Sequence, residues 1–206
     1  GQALMIRGRC HMQALFLWSP AYDSATAGAD MGIPLRLNTD LAETSVRPSV
    51  QQVCNQVISD LKQAAPLLPA RGIHTVRASR VAAFGLLARL YLSMKDYTAV
   101  KRYADSSLQL NSALLNYNSI TSTGTYPVPQ FNPEISYYIT FSNLAFVPGY
   151  GRADSSLYLS YTANDCRKTI FFIANPDGSF SFRGSYTGAS GCFAGLATDE
   201  LYLMRA

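Results

Sequence analysis

Between Pro48 and Pro66 the chain carries its most restrictive pattern. Val50, Val53, Cys54, Val57, Ile58, Leu61, Ala64 and Ala65 recur every three or four positions, so residues 50–65 form a helix with one apolar face. Ser49, with Gln52 three positions on, is a capping box that fixes its start. Such a face must be covered by other elements, and three further segments have the period to do it. Near the N-terminus Leu4, Gly8, His11, Leu15 and Trp18 keep helical spacing. Residues 78–94 set Ala83, Leu86, Leu87, Leu90 and Met94 on one side, with Arg80 and Arg89 elsewhere. Past a short link at Lys95 and Asp96, residues 97–110 turn Val100, Ala104, Ser107 and Leu108 inward, and Asn111 is suited to end that helix in the left-handed conformation.

Small residues at Gly8, Ala14, Ala83 and Ala88 permit close approach of these helices. Ala88, Tyr91, Tyr97, Val100 and Ala104 fall where tetratricopeptide-type helix pairs place their packing residues, although Val100 stands where Ala is usual. Helix pairing is expected, not a regular array. The chain changes character near residue 110. From Arg71 to Arg102 there are seven basic residues and one acid, Asp96, whereas residues 103–151 hold no Lys or Arg. Residues 111–197 read as loops and short strands. Turn chemistry fills 116–118 and 121–133, a weak strand is expected over Ile135 to Phe141, and a polar, aromatic stretch spans Gly149 to Tyr161. An apolar run at 169–174, a turn at 175–179, alternation of Phe180 and Phe182 around Ser181, and a flexible Gly, Ser and Ala loop over 184–195 follow.

Charged residues make up only 15% of the chain, against about a quarter in ordinary soluble domains, while 13 Tyr are present. Ser, Thr, Asn, Gln and Tyr must therefore wet the surface. A net charge of +4 from 17 basic and 13 acidic residues does not define a nucleic-acid binder. No apolar run approaches the roughly 18 residues of a membrane span. His11 and His74 are the only histidines and no close Cys pair accompanies them, which argues against a zinc site of ordinary ligand count. Nucleophile-elbow, phosphate-loop and dinucleotide motifs are missing, so no cofactor is implied. Asp154, Asp165, Glu134, Asp199 and Glu200 offer carboxylates, but nothing in their spacing sets two of them opposite each other. Cys10 and Cys54 lie on apolar helix faces as expected buried thiols, and Cys166 with Cys192 are either free or one disulfide. At the ends, the first helix has no residue before Gln2 that caps it, and a helix opened by Thr198, Asp199 and Glu200 runs barely two turns. The sequence thus reads as an excerpt of a longer protein.

Seven blocks, in order, resemble the SusD/RagB family of bacterial outer-membrane nutrient-binding lipoproteins. They are GQALMIRGRCHMQALFLWSPAY from Gly1, GIPL at Gly32 to Leu35, RPSVQQVCNQVISDLKQAAPLLP at Arg47 to Pro69, ASRVAAFGLLARLYLSMKDYTAVKRYADSSL at Ala78 to Leu108, FNPEISYY at Phe131 to Tyr138, LYLSYTANDCRKTIFF at Leu157 to Phe172, and DELYLMRA at Asp199 to Ala206. The resemblance implies a mainly α fold, a right-handed superhelix of paired, tetratricopeptide-like helices, with a loop-rich half containing short strands. It implies a single domain over 1–206, divided into a helical half at 1–110, a loop-rich, ligand-binding half at 111–197, and the start of a further helix at 198–206. The implied function is non-catalytic capture of oligosaccharides at the cell surface for a SusC-like, TonB-dependent transporter. A lipid anchor preceding these residues would make the membrane contact. A peptide-binding RagB-like component and a helical scaffold with protein partners are the alternatives.

Neutral sugars are held by stacking on aromatic rings and by amide and hydroxyl hydrogen bonds. Trp18, the only Trp, lies at the exit of the first helix near Tyr22, where it faces a cleft or anchors a helix pair. Tyr126, Tyr150, Arg152 and Tyr158 sit among Pro, Gly and Ser with no periodic core face to explain them, and these residues, with Asn38, form the candidate ligand set. Asn164 is a weaker candidate, and Arg167 and Lys168 are expected to pair with Asp165 or a neighbour.

Overall fold

A computed structural model describes residues 1–40, 42–121, 123–141 and 150–206. The chain divides into two compact units, one of residues 1–112 with 199–206 and the other of residues 113–198.

The first unit is built from helices α1 (Gln2–Trp18), α2 (Val50–Ala64), α3 (Arg80–Ser93), α4 (Tyr97–Leu108) and α7 (Thr198–Arg205), with α1 packed on α2 and α3 on α4. The capping box at Ser49 and Gln52 forms with both of its hydrogen bonds. Ser79 accepts from the Ala82 amide, so α3 starts at Arg80, two residues later than periodicity alone suggests. Its burial is not one-sided: Val81, Ala82, Ala83, Gly85, Leu86, Leu87, Ala88, Leu90 and Tyr91 are all covered, as befits a helix packed between neighbours. On α4, Tyr103 joins Val100, Ala104, Ser107 and Leu108 inside, and the buried Ser107 hydroxyl donates to the Val81 carbonyl at 2.8 Å.

Three expectations need correction here. Asn111 does not end α4 in the left-handed region. Gln109 closes that helix in the right-handed conformation, and the left-handed residue is Lys95 (φ 61°), which reverses the chain between α3 and α4. Tyr97 begins α4 and is 67% exposed, and Tyr103 instead makes the aromatic contacts between these helices, stacked on Tyr91 and tilted against Phe84. Cys10 is exposed, because Met5, Gly8, Met12 and Leu15 form the buried face of α1.

Asp60, missed in the apolar stripe of α2, is fully buried and receives Arg7 of α1 in a two-pronged pair, Nε to Oδ2 at 2.8 Å and Nη2 to Oδ1 at 2.6 Å. Gly8 makes room beside it, since a Cβ there would lie 3.2 Å from that of Asp60. On α7 Glu200 does more than face the helix dipole, because both its oxygens accept from Arg89 of α3, at 2.6 and 2.7 Å.

The second unit holds three two-stranded antiparallel pairs. Strand β1 (Ile135–Tyr137) pairs with β6 (Leu196–Ala197), β2 (Thr140–Phe141) with β5 (Cys192–Phe193), and β3 (Phe172–Ala174) with β4 (Phe180–Phe182). The single strand expected over 135–141 is thus two, each with its own partner. Short helices α5 (Ser155–Ser160) and α6 (Cys166–Phe171) occupy a region expected to be irregular, each opened by an aspartate cap, Asp154 and Asp165. The start of the stretch from Gly149 lies outside the described residues. Residues 175–179 form the expected turn, with Gly178 at φ 81°. Val128, Ile135, Ile170, Tyr186 and Ala197 make the core, and Cys166 and Cys192 are unbridged. Among the described residues no helix is long and apolar enough to cross a membrane.

Candidate functional site

In the loop-rich unit a hollow of about 320 Å³ is lined by Phe141, Phe182, Gly184, Ser185, Tyr186, Cys192 and Phe193. Strand pairing brings β2 beside β5 and delivers Phe141 and Phe193 opposite Cys192 and Thr140. Phe182 arrives from β4 and Tyr186 from the loop before β5. Their ring contacts are tilted: Tyr186 and Phe193 have centroids 5.5 Å apart, and Phe182 lies 6.1 Å from Phe171.

Hydrogen bonds hold the walls. The buried Glu134 carboxylate accepts from the Tyr186 hydroxyl on one oxygen and from the Leu115 amide, at 2.9 Å, on the other. The Tyr117 hydroxyl lies 3.2 Å from that of Tyr186. Ser185 Oγ accepts from the Phe193 amide at 2.9 Å, and Thr187 Oγ1 donates to carbonyls of Ala189 and Gly191. The loop at 184–195 is therefore pinned, contrary to the expectation of a flexible one. Gly184 is required there, since a Cβ would sit 2.3 Å from Cδ1 of Phe171.

The lining offers ring faces, a hydroxyl and the Cys192 thiol, whose pKa burial pushes up. It presents no ionised group, and Phe141 remains 46% exposed at its mouth. Chemically, it suits a flat, uncharged, partly apolar body. Among the described residues no group of three His, Cys, Asp or Glu side chains is placed to hold a metal ion.

The residues expected from sequence are dispersed, three in the helical unit and four in the loop-rich one, and none lines this hollow. Trp18 stands 70% exposed at the end of α1. Tyr22 donates to Gln51 Oε1 at 2.6 Å and borders a separate hollow of about 230 Å³ with Leu15, Phe16 and Pro20. Asn38 is engaged in its own turn, donating to Glu43 at 2.7 Å and accepting from the Asp40 amide at 2.9 Å. Tyr126 is half-buried and Tyr150 is 73% exposed. Arg152 pairs with Asp177 at 3.1 Å. The ring of Tyr158 stacks on Phe180 at 3.5 Å and carries the Lys168 ammonium 4.7 Å from its centroid. Arg167 pairs with Asp165 at 2.6 Å, as expected. The hollow itself was missed because Phe141, Phe182 and Phe193 look like ordinary strand residues in sequence.

Residues 1–92 match the family model of SusD-like proteins, described as starch-binding associating with outer membrane. No curated protein sequence matches the chain. Among solved structures, a SusD superfamily protein from Bacteroides vulgatus superposes with TM-score 0.78 at 21% identity, covering 98% of this chain and 52% of its own. Another, from Bacteroides thetaiotaomicron, gives 0.78 at 18%, covering 99% and 52%. Surface glycan-binding protein A from Bacteroides uniformis gives 0.66 at 14%, again covering 99% and 52%. The chain spans about half the length of these relatives. It has the SusD-like fold throughout, as the sequence blocks implied, while the family-model match takes in residues 1–92 and the later blocks lie beyond it.

Proposed function

We propose that this chain is the central part of a non-catalytic, cell-surface protein that captures oligosaccharides and passes them to a SusC-like, TonB-dependent transporter in the outer membrane. The observation that carries this reading is the uncharged aromatic hollow of the loop-rich unit, which suits the C–H face and hydroxyls of a neutral sugar. The SusD-like match over residues 1–92 and the glycan-binding neighbour support it. A lipid anchor is the proposed attachment to the membrane. Trp18 and Tyr150, each an exposed ring, are proposed as additional stacking platforms, with Tyr22, Asn38, Tyr126, Arg152 and Tyr158 as weaker members of the set.

Calorimetry against a panel of neutral oligosaccharides tests the proposal. At least one sugar is expected to bind, with Phe141→Ala weakening it by about tenfold through loss of stacking surface and Trp18→Ala and Tyr150→Ala weakening it less. Silence across the panel with folded protein sinks the reading, and thermal protection by peptides alone would replace it with a RagB-like peptide carrier.

A further inference from the structure

The basic bias of residues 71–102 has no part in the aromatic hollow, and its charges sort by partner. Arg89 is neutralised by Glu200. Arg80 and Arg102 form no ion pair among the described residues, and neither does Lys62 of α2. These three cations line one hollow of about 520 Å³ in the helical unit, together with Pro66, Phe84 and Tyr103.

Their positions are built, not incidental. Arg80 donates through Nε to the Ala65 carbonyl and through Nη2 to the Leu68 carbonyl, both at 3.1 Å, which fixes the guanidinium without cancelling its charge. Arg102 lies 4.9 Å from the Tyr103 centroid and donates to the Tyr103 hydroxyl at 3.2 Å. Lys62 sits 5.9 Å from the centroid of Tyr91, which stacks on Tyr103 with planes 3° apart. Burial pushes the Lys62 ammonium down, but interaction with the Tyr91 hydroxyl and electrostatic attraction to Tyr103 and Tyr91 outweigh it and leave the group above its ordinary pKa. Arg102 thus donates to a neutral phenol oxygen, with Lys62 near the neighbouring Tyr91 ring and Arg80 lining the same hollow, an arrangement that an anionic oxygen would relieve.

We infer that this hollow binds the carboxylate of an acidic sugar residue, with the pyranose ring against Phe84 and Pro66. A carboxylate on an extended peptide would use the cations but leave the phenyl face uncovered, whereas a ring-borne carboxylate uses both. The volume lies within the usual range for small-ligand sites.

The discriminating probe is a matched pair, cellobiouronic acid against cellobiose, titrated into the protein by calorimetry at low and high salt. The acidic disaccharide is expected to bind more tightly by about tenfold or more, with the excess lost at high salt and in Lys62→Gln/Arg102→Gln. Both side chains are exposed, so the double variant should fold, and Arg102→Lys should retain part of the excess. The double variant should leave the affinity for neutral oligosaccharides unchanged, which separates failure of this site from failure of the neutral-sugar hollow. Equal affinity for the two disaccharides overturns the inference. So does displacement of the acidic disaccharide by equimolar inorganic sulfate, or tighter binding of a triglutamate peptide.

Discussion

Arg7 and Asp60 show how much one residue can decide. The Asp60 carboxylate is wholly covered and is held by Arg7 and by Gln56, whose Nε2 donates to Oδ1 at 2.8 Å. Taking Arg7 away would leave a buried charge with one neutral donor. Arg7→Ala is expected to destabilise by about 2–3 kcal/mol, less than a fully buried pair because the Arg7 side chain is one-third exposed. A urea titration with unchanged slope measures it, and a loss near zero would show that water replaces the guanidinium. Cys54 makes a second case. Burial pushes its thiol up to about 11 from 9.0, so between these values the unfolded chain ionises while the folded chain stays protonated. The folded state then holds more protons, and stability falls as pH rises through that window. At pH 8, iodoacetamide should label the exposed Cys10 rapidly and reach Cys54 only on unfolding.

At the scale of elements, the strand pairs depend on glycines more than on strand length. A Cβ at Gly195 would fall 1.9 Å from the Tyr137 carbonyl oxygen, between β5 and β6. Gly195→Ala is expected to cost about 2–3 kcal/mol by forcing β1 and β6 apart, read as a fall in melting temperature. The helices were legible in sequence because their period repeats over three or more turns, as the stripe of α2 and its capping box demonstrate. The strands, two or three residues each, carry too few alternations to reveal their partners. Around Ser181 the alternation even misleads. The serine is buried, donating to the Gly151 carbonyl at 2.6 Å, and the flanking Phe180 and Phe182 are the partly exposed residues. Asp60 was hidden for the same reason: polarity alone does not tell where a partner from another helix will arrive. The aromatic hollow, assembled from three separated segments, has no local signature at all.

At the scale of the molecule, the loop-rich unit is an insertion in the helical one, which the chain leaves after Ser112 and rejoins at Asp199. Tyr202 donates to the Ser112 carbonyl at 3.3 Å, so departure and return points are neighbours within the helical unit. Replacing residues 113–198 by a short Gly and Ser linker should therefore preserve the helical circular dichroism and one cooperative melt. Loss of the helical signal would show that the insertion is needed to hold α7 in place.

The return of α7 also sets a timetable. Arg89 and Glu200 are 111 positions apart. At synthesis rates of about 5–20 residues per second, Arg89 emerges on the order of 5–20 s before its carboxylate exists. Closing so long a loop costs little more than closing a shorter one, about 0.6 kcal/mol per doubling. The delay is thus one of waiting, during which α1 to α4 can assemble while the α3 surface that α7 will cover stands open to whatever meets the nascent chain.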